Sequence, residues 1–225
     1  PSYYLQIKQE NNPKSIKLTP NYQKDTDSSF ESIKRLIMHL VDYVPERFDY
    51  LINWLAYFFQ ALKKSQVALV LRGNQGTGKG IFFNEIIKPL FGAEYCKTIN
   101  DKSLSSSYLG GIIENALFFN LDEISYKKVE NKTIKNFLKA LITNDTITAE
   151  KKFVTLEKET NIYAQVLITS NEPYVLDIEP SDRRYTIFNT SNTNLAHNNY
   201  LDYGSYVNLS NKIENQLEFF AQYLK

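Results

Sequence analysis

The spacing of hydrophobic and polar positions changes near residue 66. Before that point, apolar residues recur every three or four positions, which predicts two amphipathic helices. The second begins at Pro45, a residue favoured in the first turn of a helix, and continues to about Lys64. We therefore expect residues 28–65 to form a small helical subdomain, preceded by a polar lead-in or linker over residues 1–27.

After residue 66, short continuous apolar runs alternate with segments of helical spacing. The runs are typical of strands buried on both faces, and they lie at 67–71, 116–121, 164–169 and 185–188. Strands that alternate with helices predict an α/β fold with a mainly parallel central sheet flanked by helices. The polar segment 146–163 favours a hairpin, residues 191–205 a loop and residues 208–224 a last helix.

Composition and charge narrow the class of protein. Of the 225 residues, 43% are hydrophobic and 23% are charged, which is enough apolar surface for a folded core. The formal net charge is +1, so contacts with nucleic acid must come from local patches. The longest apolar stretch, Leu51 to Leu62, is interrupted by polar residues and too short for a bilayer, so we expect no membrane association. A single cysteine favours a reducing, cytoplasmic location.

A glycine-rich segment follows the first predicted strand. Its glycines permit turns that direct backbone N–H groups at phosphate oxygens, and the lysine that follows supplies positive charge. Such a segment between a buried strand and a helix predicts a phosphate-binding loop for a nucleotide. The candidate residues are Gly73, Asn74, Gln75, Gly76, Thr77, Gly78, Lys79, Gly80 and Ile81. The alternative is a tight strand-to-helix turn without a ligand.

Gly80 departs from the usual pattern of such loops. The position after the lysine normally carries a Ser or Thr hydroxyl that binds Mg²⁺. Here the metal must rely on Asp122, phosphate oxygens and water, or on a nearby hydroxyl such as that of Thr77. The sequence leaves both arrangements open.

Polar side chains end two further predicted strands. Asp122 and Glu123 follow the second strand, where Asp122 is expected to hold Mg²⁺ and Glu123 to assist at the metal and activate the attacking water. Asn171 follows the third strand and is a candidate for binding the γ-phosphate or that water. A solvated acidic turn and a turn-forming asparagine are the alternatives.

An arginine pair, Arg183 and Arg184, follows Asp182 and precedes the fourth strand. One arginine is a candidate for a finger that stabilises transition-state charge on a neighbouring subunit's nucleotide, while the other pairs with Asp182. The sequence does not distinguish their roles, and a surface salt bridge is the alternative.

In this order, the phosphate loop, the acidic pair, the Thr-Ser-Asn strand end and the Asp-Arg-Arg segment resemble a superfamily 3 helicase of the AAA+ class. The segment 50–80 looks specifically like helicases attached to phage and plasmid primase-polymerases. The resemblance implies a P-loop NTPase core over residues 66–190 and a C-terminal loop and truncated lid helix over 191–225. It also implies ATP and Mg²⁺ at subunit interfaces of a homo-hexameric ring, and a primase-polymerase domain on the same, longer chain.

The resemblance further implies single-stranded DNA in the ring's channel, gripped by a hairpin just before the third strand. Lys151 and Lys152 occupy the matching positions, and a solvated lysine face is the alternative. We therefore predict an ATP-driven DNA helicase domain that works inside the host cell of a phage or plasmid. A P-loop NTPase or kinase that does not act on DNA, or a nucleotide-binding scaffold without turnover, are the alternative functions.

Overall fold

The computed structural model describes residues 29–100, 103, 113, 115–123, 132–149, 158–172 and 182–225. Its first two helices are α1 (Glu31–Leu40) and α2 (Pro45–Ala61), which confirms the two predicted near the start. Helix α2 begins at a proline and ends where Leu62 adopts a left-handed φ of 49°. Such a residue stops the helix because it turns the chain away from the helical path.

The described part of the chain contains seven strands. They are β1 (Ala68–Arg72), β2 (Cys96–Ile99), β3 (Phe118–Asp122), β4 (Thr146–Ala149), β5 (Lys158–Asn161), β6 (Gln165–Ser170) and β7 (Tyr185–Asn189). Five form a parallel sheet in the order β2-β3-β6-β1-β7, whereas β4 and β5 pair antiparallel. The parallel sheet and the hairpin are therefore confirmed. Strand β2 was not among the predicted elements, because polar Lys97 and Thr98 separate its two buried residues, Cys96 and Ile99, and leave no continuous apolar run.

Three further helices complete the described structure. Helix α3 starts as α-helix at Lys79–Ile81, passes through a π-helical segment at Phe82–Ile87 and ends as α-helix at Lys88–Phe91, and a short 3₁₀ helix at Ala93–Tyr95 follows. Helices α4 (Lys132–Thr143) and α5 (Tyr206–Tyr223) come later. No helix within the ranges given above is both long and apolar enough to cross a membrane.

The two faces of the sheet bury separate hydrophobic clusters. Because successive strand residues point to opposite faces, Leu69 and Leu71 lie in one cluster and Ala68 and Val70 in the other. The first cluster includes side chains from α1, α2, α3 and α5, and the second includes those of α4. Helices therefore flank a central sheet in three layers. The predicted segments 28–65, 66–190 and 191–225 all contribute to the first cluster, and their boundaries stay predictions.

Candidate functional site

A cleft of about 400 Å³ lies at the edge of the sheet where β1, β3 and β6 end. Strand β6 lies between the other two, so the residues that follow the three strands meet at one edge. The cleft is lined by Gln75, Gly76, Gly78, Lys79, Gly80, Ile81, Asp122, Glu123, Ser170, Asn171, Asn194, Leu195, Tyr200 and Tyr206. Ligands of open parallel sheets bind at such an edge, so the architecture places the predicted residues where a ligand is expected.

Close packing and backbone conformation explain the glycines of the loop. Gly76 and Gly78 adopt φ values of +82° and +97°, which strain any residue with a Cβ. A Cβ on Gly78 would also lie 2.7 Å from Leu36 Cδ1. Gly73 is required for another reason, because a Cβ there would lie 2.0 Å from Thr190 Oγ1.

The Lys79 ammonium lies inside the loop. It donates hydrogen bonds to the carbonyl oxygens of Gly73 at 2.7 Å and Asn74 at 2.8 Å. Burial lowers the pKa of Lys79 to about 8, although the nearby carboxylates of Asp122 and Glu123 act to raise it. A lysine held in this way combines a cation with backbone N–H groups at the start of a helix, which suits phosphate.

Asn194 and Leu195, from the C-terminal part of the chain, hydrogen-bond to the glycine-rich loop. The backbone N–H of Leu195 donates to the carbonyl oxygen of Gly76 at 2.9 Å, and Asn194 Nδ2 donates to that of Gln75 at 3.4 Å. These bonds leave the loop shaped by the C-terminal part of the chain as well as by its own glycines.

The acidic pair is oriented by the end of β6. Asp122 Oδ1 accepts a hydrogen bond from Thr169 Oγ1 at 2.7 Å. The backbone N–H of Glu123 donates to the Thr169 carbonyl at 3.0 Å, and its carboxylate accepts a hydrogen bond from Asn171 Nδ2. Glu123 adopts a left-handed φ of 50°, and such strain in a non-glycine residue concentrates at functional sites. The predicted residues Lys79, Asp122, Glu123 and Asn171 therefore lie together.

The residues at this edge fit a magnesium ion held mainly by its nucleotide. Mg²⁺ commonly binds one or two carboxylates, phosphate oxygens and water, and Asp122 and Glu123 supply the carboxylates. Thr77 does not fit the alternative role as a metal ligand, because its hydroxyl is fully buried and its oxygen accepts hydrogen bonds from Lys79 Nζ at 3.3 Å and Thr190 Oγ1 at 3.2 Å. No cluster of three or more His, Cys, Asp or Glu residues occurs within the described ranges.

The two predicted arginines lie at the opposite edge of the sheet. They precede β7, and the Arg184 carbonyl accepts a hydrogen bond from the N–H of Ala68, the first residue of β1. Five strand residues separate this edge from the cleft, about 16 Å. Arg184 binds Asp182 through Nε at 2.7 Å and Nη2 at 2.9 Å, whereas Arg183 is exposed. Neither arginine reaches the cleft of its own subunit.

Lys151 and Lys152 lie outside the described residues. The hairpin strands β4 and β5 on either side of them are described, and the Ile162 N–H donates to the Asp145 carbonyl at 2.8 Å. Their expected contact with DNA stays a prediction.

Five lining residues were not among the predicted site residues: Ser170, Asn194, Leu195, Tyr200 and Tyr206. The last four belong to the segment interpreted as a loop and last helix, and no spacing of residue types marks them as ligand-binding. Tyr206 shows how the cleft holds such a residue. Its hydroxyl donates to Glu85 Oε1 at 2.8 Å, which raises the pKa of Tyr206, and the Ser210 hydroxyl donates to Glu85 Oε2 at 3.0 Å.

Known structures share the overall fold of this chain. The apo structure of the NrS-1 C-terminal region matches with a TM-score of 0.76 and 31% identity, over 92% of this chain and 47% of that one. JCV helicase matches with a TM-score of 0.57 and 14% identity, over 99% of this chain and 60% of that one, a likeness that shows the fold alone. The α/β fold, with its mainly parallel sheet between helices, therefore resembles that of JCV helicase.

The chain belongs to a family of unknown function (DUF5906), whose model matches residues 71–184. It is also 33% identical over 195 residues, 86% of its length, to the DNA primase-polymerase of Nitratiruptor phage NrS-1. It spans 26% of that curated relative. The predicted resemblance to the helicase region of a phage primase-polymerase is thereby confirmed.

Proposed function

We propose that this chain is an ATP-driven helicase module of a phage or plasmid replication protein. It binds ATP with Mg²⁺, hydrolyses the bond between the β- and γ-phosphates and moves single-stranded DNA inside the host cell. The observation that carries the proposal is the convergence of Lys79, Asp122, Glu123 and Asn171 at one edge of a helicase-like sheet. A bound Mg²⁺ ion, which Asp122 and Glu123 would hold, would neutralise phosphate charge.

The chain's own side chains take distinct parts in this hydrolysis. Lys79 binds the outer phosphates. Asp122 would hold the metal, and a hydrogen bond from Thr169 fixes the orientation of the Asp122 carboxylate. Glu123 accepts the proton of the attacking water, because a carboxylate at the exposed mouth of the cleft can reach that water. Asn171 touches Glu123 and keeps it directed into the cleft.

A neighbouring copy completes the site in our proposal. Lys79 is the only cation among the described residues that line the cleft. Phosphoryl transfer gains further from an arginine that stabilises charge in the transition state. Arg184 is committed to Asp182, which leaves the exposed Arg183 as the finger. Because the finger and the cleft lie at opposite edges, copies associate head to tail, and such contacts close into rings such as the predicted hexamer.

Single-stranded DNA is the proposed substrate of the movement. Support comes from the primase-polymerase relative and from the helicase-like fold. The predicted contacts of Lys151 and Lys152 with the DNA backbone belong to this proposal.

The direct test is the rate of ATP hydrolysis with and without single-stranded DNA, for the wild-type chain and Lys79→Ala. We expect hydrolysis that depends on Mg²⁺, rises with DNA and is lost in Lys79→Ala. Hydrolysis indifferent to DNA would favour a P-loop enzyme that does not act on DNA. ATP binding without any hydrolysis would favour a scaffold.

A further inference from the structure

The cleft is lined by both charged and apolar side chains. Lys79, Asp122 and Glu123 carry charge, whereas Ile81, Leu195 and the ring of Tyr206 offer apolar surface. A nucleoside triphosphate combines the same two characters, because its phosphates are charged and its base presents apolar faces. The charged side chains therefore suit the phosphates, and the apolar ones suit the base.

Helix α3 holds Tyr206 in the wall of the cleft. Glu85 lies about one helical turn beyond Ile81 on the same face of α3, further from Lys79. Its two carboxylate oxygens accept hydrogen bonds from Tyr206 at 2.8 Å and Ser210 at 3.0 Å. Glu85 therefore ties the first turns of α5 to α3 and fixes the tyrosine ring beside the cleft.

The contact between Glu85 and Tyr206 lies at the π-helical segment of α3. Such segments are rare and occur frequently at functional sites, because the wider turn changes the direction of nearby side chains. Glu85 lies within the segment Phe82–Ile87. The local distortion of α3 thus coincides with the residue that positions Tyr206.

We propose that Tyr206, with Ile81 and Leu195, forms the subsite for the nucleobase of a nucleoside triphosphate, and that Glu85 is its positioning residue. This inference rests on the function proposed above for the same cleft. Aromatic side chains bind bases by stacking, and every base has a stacking face.

The subsite favours purines with little choice between adenine and guanine. Asn194 Oδ1 accepts from the Ala196 N–H at 2.8 Å, and its Nδ2 donates to the Gln75 carbonyl. The Tyr206 hydroxyl is bound to Glu85. These bonds restrict how Asn194 and the Tyr206 hydroxyl can turn towards a base, so we expect contact area more than base-edge hydrogen bonding to set the preference. A purine offers more area than a pyrimidine.

Calorimetric titration with ATP and with inorganic tripolyphosphate, both with Mg²⁺, tests the subsite. Tyr206→Ala is expected to weaken ATP about tenfold and to leave tripolyphosphate unchanged, because only ATP carries a base. Tyr57→Ala is the matched control. Its side chain is as exposed as that of Tyr206, 44% against 45%, and it does not line the cleft.

Three further variants separate a positioning role of Glu85 from a role in folding. Glu85→Ala is expected to weaken ATP by a smaller factor, and the double variant Tyr206→Ala/Glu85→Ala to be no weaker than Tyr206→Ala alone. Tyr206→Phe keeps the ring and loses the bond to Glu85, so it should match Glu85→Ala. For the wild-type chain, ATP and GTP should bind within a few-fold of each other and more tightly than CTP.

The outcomes distinguish this inference from the proposed function. If Tyr206→Ala weakens both ligands equally, or neither, while wild-type protein hydrolyses ATP, the nucleobase subsite is overturned and the proposed function stands. If wild-type protein binds neither ligand, both fall. A strong preference for one purine would overturn the claim that contact area sets specificity.

Discussion

The two edges of the central sheet differ in how their functional side chains are satisfied. At the edge where β1, β3 and β6 end, Lys79, Asp122 and Glu123 are all hydrogen-bonded within the subunit. At the opposite edge Arg184 is bound by Asp182, whereas the adjacent Arg183 has no partner among the described residues. One edge carries hydrogen-bonded candidate residues, and the other presents the exposed side chain of Arg183.

This contrast shows how one chain could carry the two halves of the proposed site, the cleft and the arginine, too far apart to meet within one subunit. The cleft lacks an arginine among its described lining residues, and the exposed arginine is about 16 Å or more from the cleft of its own subunit. In the proposed assembly, a head-to-tail neighbour would bring the two together. The difference between the edges thus explains why hydrolysis would depend on assembly.

The largest expected effect is a loss of ATP hydrolysis in Arg183→Ala that Arg184→Ala does not share. Arg183→Ala should lower the hydrolysis rate of the assembled protein about a thousandfold, because it removes stabilisation of transition-state charge. Arg184→Ala should instead lower the melting temperature by a few degrees, because Asp182 loses a bidentate partner. Parallel assays of hydrolysis and thermal unfolding check both. Equal effects of the two variants on hydrolysis would remove the distinction between them.

A smaller loss of ATP hydrolysis is expected when Glu123, at the edge with the cleft, is changed. Glu123→Gln keeps the shape and the contact with Asn171 but cannot accept a proton, so hydrolysis should fall about a hundredfold while ATP affinity stays within a few-fold. Steady-state turnover and calorimetric binding measure the two separately. A variant that retains wild-type turnover would show that Glu123 is not the base.

The pKa of Lys79, about 8, predicts a pH dependence of ATP affinity. Below pH 8 the free protein already carries the charge that binds phosphate. Above pH 8 the free lysine is neutral, so binding must take up a proton and affinity should fall by up to about tenfold per pH unit. Lys79→Arg stays charged and should flatten the profile. Identical profiles for both proteins would contradict this account.

The smallest effect is expected at Gly80. A Cβ there has only Asn84 Nδ2 nearby, at 4.0 Å, so Gly80→Ser should fold normally. Its hydroxyl adds the metal ligand usual at this position and should lower the Mg²⁺ concentration for half-maximal hydrolysis by a few-fold. Gly78→Ser is the control, because its φ of +97° and its contact with Leu36 predict a destabilised protein. An unchanged magnesium requirement in Gly80→Ser would argue against metal binding beside residue 80.

Local patterns predicted the parts of the molecule that depend on local physics. The runs that became β1, β3 and β6 are mainly apolar and buried, so their strands and the residues at their ends could be placed. The run that became β7 was also placed, although only Phe188 of its five residues is buried. Strand β2 is a short edge strand with half of its residues outside the core, and its pattern is correspondingly weak. The role of Tyr206 depends on its contact with Glu85, 121 positions away in the chain, which no local pattern encodes.

The account's central claim is that a complete site combines the cleft of one copy with Arg183 of the next. Mixing two inactive variants, Lys79→Ala and Arg183→Ala, tests it most directly. The mixture places an intact cleft beside an intact arginine, so we predict that DNA-stimulated ATP hydrolysis reappears and peaks near equal amounts. A mixture that co-assembles yet stays inactive, when wild-type protein is active, would contradict the claim.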